Sequence, residues 1–514
     1  MILSARTRWL LIFLLFFGCD EGVSQAPEPN LDGDALVDVG ATIDSSPLAE
    51  DMSSDAVDAT PQVDAGRALD AGRALDVGPA LDVGPALDAG QTIDAGGPAP
   101  VCGDGIVSAG ERCDDGNQDP TDACANDCTP AAPFHAYDAI VREVLDTWDV
   151  AGATIAVTKD QRLVLRRAYG LADRAEQRPM QHHHRMRIAS LAKAITAVAI
   201  LRLVEQERLA LSDRAFALLG DPEPPPGRSK DPRLASITIA QLLRHEGGWN
   251  RDETGDPMFW SRRICQALGI PGPATAHDTL YYMLGQPLDF DPGTDYNYSN
   301  FGYSVLGRVI EQVTGLTYEA YVRDEVLAPM GIHDMELGRT LPMDRPADEV
   351  TYHMYEGAYD VVSVFPDVVE RVSRPNGGWH QEALDSHGGW IAHATDLVRF
   401  VTSVDGRDGL PDFLSPQSIA VMTQRPELAR WLRRAVYYGM GWSVRPVEDD
   451  ATWWHNGALA GTSTLFVRTW HGYNWVVLTN GRPEDGNGFL NALDQAMWQA
   501  HASVQAWPDY DLFD

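Results

Sequence analysis

Two residues that could do nucleophilic chemistry, Ser190 and Lys193, stand at the head of the apolar run RIASLAKAITAVAILRLVEQE. Such a run predicts a helix that is apolar on most sides and therefore buried in a domain core. Residues three apart lie on one face of a helix, so the hydroxyl and the amine can meet there. A buried lysine is costly unless it is neutral, paired or catalytic, and a neutral amine can take the proton of a serine nucleophile. The structural alternative makes Ser190 a helix N-cap and Lys193 a surface residue of the first turn.

A second candidate group lies in the stretch DPGTDYNYSNFGYSVLGRVIEQVTG, residues 291–315. We expect a helix to begin around Phe301, which leaves Tyr298 and Asn300 on a loop where side chains can project into a cleft. A phenol can relay protons when a nearby cation, such as Lys193, lowers its pKa. The amide of Asn300 can hold a lysine or a substrate carbonyl in place.

A third candidate group lies in ATWWHNGALAGTSTLFVR, residues 451–468. We expect His455 and Gly457 just before a strand. Glycine lets the backbone approach a ligand, and strand N–H groups can supply an oxyanion hole. The alternative is that His455 is a hydrogen-bonded histidine at a strand end.

The remaining histidines form no metal-binding pattern. The sequence HEGGW at residues 245–249 lacks the second histidine of H-E-x-x-H. We expect residues 182–184, three consecutive histidines, on a strand, where neighbouring side chains point to opposite faces and cannot converge on one metal. His387 and His393 flank Gly-Gly-Trp and could line a cleft, but no role follows for them. We therefore expect no metal ion and no cofactor.

The composition is that of a globular protein from about Ala132 onward. The sequence predicts helices in AYDAIVREVLDTWD and FLNALDQAMWQAHASV, and hairpins in ATIAVTKDQRLVLRRAYGLAD and in TSTLFVRTW with YNWVVLTN. We predict an α+β fold, in which one antiparallel sheet is built from both ends of the chain and flanked by helices. The middle of the chain would form a helical and loop-rich lobe over one edge, and a site is expected in the cleft between sheet and lobe.

The charge of the chain is uneven. The 514 residues carry a net charge of −34, and the segment from Cys19 to Pro133 holds 24 acidic and 3 basic residues. This acidity argues against nucleic acid and against an anionic membrane surface as partners.

The N-terminus predicts export. Arg6 and Arg8 precede an apolar run that ends at Gly18 and is too short for a permanent membrane helix. The ending Phe-Phe-Gly-Cys resembles a bacterial lipoprotein signal, which implies cleavage after residues 1–18, lipidation of Cys19 and attachment of a cell-envelope protein to the membrane by its lipid alone. Ordinary cleavage and full secretion are the alternative.

Residues 19–100 are poor in aromatics and contain a six-residue repeat with aspartates at positions 64, 70, 76, 82, 88 and 94. The composition predicts a solvated, disordered spacer. Calcium binding is the alternative, but the glycine-rich nonapeptide pattern of calcium-binding β-rolls is absent.

Residues 101–130 concentrate four cysteines, which are Cys102, Cys113, Cys124 and Cys128. In an exported chain this density indicates two disulfides in one of three connectivities, and a zinc site is the alternative, although paired C-x2-C knuckles are missing. The segment resembles the short cysteine-rich repeat of surface proteins from myxobacteria and related bacteria, which implies an extracytoplasmic location. We expect Cys265, in the later domain, to be a buried free thiol.

The three candidate groups occur in the order Ser-x-x-Lys, Tyr-x-Asn and His-x-Gly, about 105 and 155 residues apart. This arrangement resembles the serine β-lactamase and penicillin-binding-protein superfamily, specifically the branch related to class C β-lactamases, which includes DD-peptidases, D-amino-acid peptidases and esterases. The stretches ITIAQLLRHEGGW, GGWIAHATDLVRF and YGMGWSV resemble the same family. The resemblance covers residues 134–505 and implies a β-lactamase/transpeptidase-like catalytic domain there.

The resemblance implies acyl transfer through a covalent acyl-enzyme. Ser190 would attack the carbonyl, and Lys193 with Tyr298 would share the proton transfers. The N–H groups of Ser190 and Ala458 would form the oxyanion hole, beside Gly457 in the substrate-binding strand. Asn300 would orient Lys193 and the substrate amide.

His455 stands where many β-lactamases carry a lysine that meets the substrate carboxylate. A partly charged histidine would bind a carboxylate less firmly, which favours an esterase or peptidase over a β-lactamase. We further expect activity to fall at acid pH as His455 or Lys193 becomes protonated.

The sequence thus predicts a serine hydrolase acting on an ester, an amide or a D-amino-acid peptide, with a small-molecule or peptide substrate and a monomeric state. A β-lactamase is one alternative. A non-catalytic surface binding protein with the penicillin-binding-protein fold is the alternative from another class.

Overall fold

The computed structural model describes residues 134–513. The predicted signal peptide, spacer and cysteine-rich module lie outside the described residues, and so do their cysteines at positions 19, 102, 113, 124 and 128.

The strands include one long hairpin near each end of the described chain. In chain order they are β1 (Gly152–Lys159), β2 (Arg162–Asp173), β3 (Arg178–Pro179), β4 (Met186–Arg187), β5 (Glu336–Leu337), β6 (His353–Met354), β7 (Val361–Val362), β8 (Arg371–Val372), β9 (Trp390–Ala392), β10 (Tyr437–Tyr438), β11 (Ser443–Val447), β12 (Asp450–Leu459), β13 (Thr462–Arg468), β14 (Tyr473–Thr479) and β15 (Gly481–Arg482).

The helices fill the ends and the middle of the same region. They are α1 (His135–Thr147), α2 (Ala192–Glu205), α3 (Ala215–Leu218), α4 (Ile239–Leu243), α5 (Arg251–Thr254), α6 (Ser261–Leu268), α7 (Ala276–Met283), α8 (Asn300–Thr314), α9 (Tyr318–Tyr321), α10 (Asp385–Gly388), α11 (Ala394–Thr402), α12 (Pro416–Thr423) and α13 (Gly486–Ser503).

The central sheet is antiparallel and is assembled from both ends of the described chain. Its strand order is β10-β11-β12-β13-β14-β1-β2-β3, so the N-terminal β1 pairs with the C-terminal β14. The register runs from Ala153 opposite Thr479 to Lys159 opposite Tyr473. The predicted α+β architecture and both predicted hairpins are therefore confirmed.

Helices cover both faces of this sheet. Asn474 on β14 donates to Thr402 Oγ1 at the end of α11, at 3.2 Å. The next residue, Trp475, points to the opposite face and packs edge-on against Trp498 of α13, with ring centroids 4.8 Å apart. Since neighbouring strand residues face opposite sides, α11 and α13 lie on different faces.

Helix α2 is buried nearly all round. Every residue from Ala192 to Leu201 is buried, because the run offers almost no polar side chain that requires water. Lys193 has no exposed surface. The alternative that placed it on the surface is therefore wrong.

Two of the predicted boundaries differ from the structure. Helix α8 begins at Asn300, one residue earlier than expected, because Ser299 Oγ accepts from Gly302 N at 3.0 Å and caps the helix. His455 and Gly457 lie inside β12 and not before it, because the pairing with β13 continues to Leu459 opposite Thr462.

Two side-chain predictions also differ. Residues 182–184 lie in a turn and not on a strand: His184 N donates to Gln181 O at 3.1 Å, and Gln181 N donates to His184 Nδ1 at 3.0 Å. Cys265 is a free thiol as expected, but it is partly exposed, because α6 lies in the lobe and not in the sheet core.

Within residues 134–513, no helix combines the length and the apolar character needed to cross a membrane.

Candidate active site

Ser190 lies in a short 3-10 turn, Ala189–Leu191, that leads directly into α2. Ala189 has φ of +49°, a backbone conformation that is unfavourable for residues with a Cβ. Such strain persists only where the surrounding structure enforces it, as it often does at functional sites. Here Ile188 N donates to Trp390 O of β9 at 3.0 Å and fixes the entry to the turn.

The amine of Lys193 has three polar neighbours. Nζ lies 2.7 Å from Asn300 Oδ1, 2.9 Å from the carbonyl oxygen of His387 and 3.1 Å from Ser190 Oγ. The two carbonyl oxygens can only accept, so the amine must donate to both. A neutral amine has two N–H donors, and both are then used. Its lone pair is left for the third neighbour, the Ser190 hydroxyl.

The environment of Lys193 favours this neutral form. Burial lowers its pKa well below the ordinary value, the positive charge of Arg251 lowers it further, and the negative charge of Asp256 partly opposes the shift. The lowered pKa increases the fraction of neutral amine, which is the form that can accept the Ser190 proton.

Asp256 fixes the orientation of the Asn300 amide. Asn300 Nδ2 donates to Asp256 Oδ2 at 2.5 Å. Because a carboxylate only accepts, the amide nitrogen must face Asp256 and the amide oxygen must face Lys193. The same carboxylate accepts from Met258 N at 3.1 Å through Oδ1, which holds Asp256 in place.

The phenol of Tyr298 closes the site from one side. Lys193 Nζ lies 4.7 Å from the centroid of its ring, and its hydroxyl hydrogen-bonds with Ser190. Burial raises the pKa of Tyr298, and the charge of Arg251 and the bond with Ser190 offset only part of that effect. The expectation of a pKa lowered by Lys193 is corrected: Tyr298 stays protonated and is suited to donate a proton.

His455 is buried and uncharged. Its Nδ1 lies 2.6 Å from Asn456 O, which can only accept, so Nδ1 carries the proton and Nε2 accepts from the Tyr438 hydroxyl at 3.0 Å. Burial lowers its pKa to about 3. The expectation of a partly charged histidine that meets a substrate carboxylate is therefore corrected. Protonation of His455 is also no longer expected to cause the fall of activity at acid pH.

Gly457 allows β12 to pass against the nucleophile turn. A Cβ built on it would lie 2.3 Å from Thr464 Oγ1, 2.6 Å from Ile188 O and 3.0 Å from Ser190 N. No side chain fits there. The close approach brings β12 beside Ser190, and Ala458 lines the cavity next to Ser190.

A cavity of about 140 Å³ opens beside Ser190. Tyr298, Asn300, Ala458 and His387 line it together with Ser190, whereas His393 does not and instead places Nδ1 2.9 Å from Asp396. Residues outside the three sequence motifs complete its wall, among them Arg251, Asp256, Phe259, Val361, Arg374, Trp379, Leu384 and Arg482.

Most of the chain matches one known protein family. A family model described as "Beta-lactamase" matches residues 137–496, which is most of the chain and nearly all of the described part. The chain belongs to the beta-lactamase family. A second model, described as "Domain of unknown function (DUF4215)", matches residues 99–129. It is only a weak hint of the cysteine-rich repeat.

Relatives of this beta-lactamase-family chain include an esterase and a penicillin-binding protein. It is 28% identical to Esterase EstB of Burkholderia gladioli over 364 residues, 66% of this chain and 86% of that protein. It is 24% identical to Penicillin-binding protein 4* of Bacillus subtilis over 366 residues, 70% and 73% of the two chains. It is a serine hydrolase of this family.

Solved structures of the same fold include EstCE1, described as a hydrolase with promiscuous acyltransferase activity, and the D-amino acid amidase from Ochrobactrum anthropi. Both have a TM-score of 0.56 and 20% sequence identity to this chain. The match to EstCE1 covers 71% of this chain and 98% of EstCE1. The match to the amidase covers 72% of this chain and 99% of the amidase.

Arg251 and Asp256 of this beta-lactamase-family site were not predicted from the sequence. Both lie in a segment between motifs, and neither belongs to a recognisable pattern. The one available signal was their place in residues 250–290, for which the sequence indicated no structure.

Within the described residues, no three His, Cys, Asp or Glu side chains are grouped as a metal site requires.

The first prediction concerns Gly457. Replacement by Ala should lower the free energy of unfolding by about 1–3 kcal/mol, since the new Cβ overpacks against backbone. It should also slow acylation of Ser190 at least about tenfold, because β12 must move away from the nucleophile turn. Thermal or urea unfolding and the rate of active-site labelling measure the two effects.

The matched control is Gly302→Ala in α8, where a Cβ would meet nothing closer than 3.6 Å. That change should be neutral or stabilising by about 0.5–1 kcal/mol. Equal behaviour of the two variants would contradict the close approach of β12.

The second prediction concerns the pKa of Lys193. As a base, Lys193 loses function when it becomes protonated, so kcat/KM falls on the acid side. Arg251→Gln removes a charge that lowers the Lys193 pKa and should move this acid limb to higher pH. Asp256→Asn removes a charge that raises it and should move the limb to lower pH. The pH profile of kcat/KM for each variant is the measurement.

The control is Arg262→Gln, which changes an exposed arginine of α6 outside the cavity wall. It should leave the acid limb of the kcat/KM profile at the wild-type pH. Shifts of the first two variants in the same direction would contradict the assignment of the limb to Lys193.

Proposed function

We propose that this protein hydrolyses carboxylic esters or amides, including peptides of D-amino acids, through an acyl-enzyme on Ser190. The observation that carries the proposal is the contact of Lys193 Nζ with Ser190 Oγ at 3.1 Å while both donors of the neutral amine are engaged elsewhere. A serine hydroxyl becomes an effective nucleophile when a base is placed in this way.

The reaction proceeds in two halves. Ser190 Oγ bonds to the substrate carbonyl carbon as its proton passes to Lys193, and the backbone N–H groups of Ser190 and Ala458 bind the resulting oxyanion. Collapse breaks the bond to the leaving alcohol or amine, which takes a proton from Tyr298; the Lys193 ammonium reprotonates Tyr298. In the second half a water adds to the acyl carbonyl carbon as its proton passes to the Lys193–Tyr298 pair. The bond to Ser190 Oγ then breaks, Ser190 takes that proton back, and the acid is released.

Two observations favour an esterase or amidase over a β-lactamase. His455 is neutral, so β12 lacks the cation that many β-lactamases place at this position for the carboxylate of a β-lactam. The relative from Burkholderia gladioli, which this chain covers to 86% of its length, is named an esterase. β-Lactam hydrolysis and a purely binding role stay as the alternatives.

A third prediction tests the proposal. A fluorophosphonate or a fluorescent penicillin probe should label the wild-type protein and should not label Ser190→Ala. The control variant, Ser304→Ala, removes a buried hydroxyl of α8 that does not line the cavity and should still be labelled. Absence of labelling of the wild type would favour the binding protein. Rates on p-nitrophenyl esters, nitrocefin and D-Ala-D-Ala peptides then rank the substrates.

We also propose that the chain is exported and anchored at Cys19 through its lipid, with the acidic spacer and a disulfide-bonded module between the anchor and the enzyme. The support is the charged and apolar N-terminal sequence that ends in Gly-Cys.

A fourth prediction follows from this anchor. Labelled palmitate should enter the wild-type protein in a bacterial host, and Cys19→Ala should abolish both labelling and membrane recovery. The control Cys265→Ala should retain both. Palmitate-free wild-type protein in the medium would instead indicate ordinary secretion.

A further inference from the structure

The charged side chains on the cavity wall are mostly arginines. Arg251, Arg374 and Arg482 line the cavity, against one carboxylate, Asp256. That carboxylate is already engaged, since it accepts from Asn300 Nδ2 at 2.5 Å and from the backbone N–H of Met258 at 3.1 Å. The fixed charge of the wall is therefore positive.

Asp252 Oδ1 lies 3.8 Å from Arg251 Nε and offsets part of this charge, and the other titratable groups at the cavity do not cancel the rest. Burial lowers the pKa of His387 and of Lys193 behind it, so neither adds a cation, and burial raises the pKa of Tyr298, so it adds no anion. The surrounding domain has the opposite sign, because residues 134–514 hold 50 acidic and 35 basic residues. A positive cleft in an acidic domain concentrates anionic ligands.

Arg374 is the arginine best suited to bind such a ligand. Among the described residues, no carboxylate pairs with its guanidinium; it lies 4.6 Å from the ring centroid of Tyr359, and Nη2 donates to the hydroxyl of that tyrosine. A guanidinium has five N–H donors and keeps its charge at all physiological pH values. A planar fork of donors matches a carboxylate in particular.

The segment that carries Arg374 is held in place. The carbonyl oxygen of the next residue, Pro375, accepts from Arg187 Nη1 and from Arg345 Nη2, both at 2.8 Å. Arg187 is fully buried and lies directly before the nucleophile turn. Arg374 is thus fixed relative to Ser190 before a ligand binds, which lowers the entropic cost of binding.

The rest of the wall near Arg374 is apolar. Phe259 and Trp379 meet edge to face with ring centroids 6.3 Å apart, and Val361 and Leu384 also line the cavity. Such a wall suits a substrate with an apolar body and one charged end.

We propose that the substrate carries a carboxylate in addition to the carbonyl that Ser190 attacks, and that Arg374 binds this carboxylate. The inference rests on the proposed hydrolysis at Ser190. It replaces the expectation drawn from His455, because the cation comes from the short turn after β8, Arg374–Asn376, and not from β12.

A fifth prediction tests it with two pairs of esters of matched shape. In the first pair, mono-4-nitrophenyl glutarate is compared with its carboxamide, and the carboxylate lies in the acyl part of the ester. In the second pair, 3-acetoxybenzoate is compared with 3-acetoxybenzamide, and the carboxylate lies in the leaving group. The carboxylate member of at least one pair should have the higher kcat/KM, by about tenfold. Arg374→Met should reduce that ratio to near one, and Arg374→Lys should restore part of it.

Arg371→Met is the matched control on the same hairpin: this arginine is exposed, lies outside the cavity wall, and its Nη2 donates to Asp360 O. It should leave the ratio as in the wild type. The inference is overturned if the carboxamides are equal or better in both pairs, or if Arg371→Met acts like Arg374→Met. It is also overturned if probe-labelled wild type cleaves neither pair. Loss of probe labelling itself would instead overturn the proposed function.

Discussion

The burial of one amine constrains the rest of the site. Lys193 has no exposed surface, and its Nζ is placed between two carbonyl oxygens and the Ser190 hydroxyl. An ammonium there would lose its hydration on burial, whereas a neutral amine donates to the two carbonyl oxygens and keeps its lone pair for the Ser190 proton. Each acceptor comes from a different part of the chain, one from the start of α8 and one from α10. The packing of these helices on α2 therefore determines the chemistry of the serine.

The molecule divides this work between its ends and its middle. The sheet, built by pairing β1 with β14, brings β12 against the nucleophile turn, where its backbone could supply an N–H group of the proposed oxyanion hole. The middle of the chain supplies the charged groups around the catalytic residues. Arg251 lowers the pKa of Lys193 and Asp256 raises it, and Arg374 adds positive charge to the cavity wall. Under the proposed function, reaction type and substrate choice would thus be encoded in different segments.

The sequence was sufficient for those parts whose pattern is local. The apolar pattern identified α2 and both hairpins, and spacing placed Ser190 and Lys193 on one helix face. Tyr298 was added to them by the resemblance to a known family. The sequence was not sufficient for properties that depend on tertiary burial. The charge of His455 is set by its contacts with Tyr438 and Asn456, and nothing in the letters HNG indicates them. Asp256 and Arg374 likewise lie on irregular segments, whose positions depend on packing partners far along the chain, such as Arg187 beneath Pro375.

The central claim is that Lys193 is neutral near neutral pH, and it can be measured directly because the chain has three lysines, Lys159, Lys193 and Lys230. NMR titration of protein labelled with 13C at the lysine ε-carbon gives one signal for each, and Lys159→Arg and Lys230→Arg assign them. The Lys193 signal should titrate well below the value of about 10.4 that is ordinary for lysine. A Lys193 signal that stays in the protonated position up to pH 10 would contradict its role as the base for Ser190.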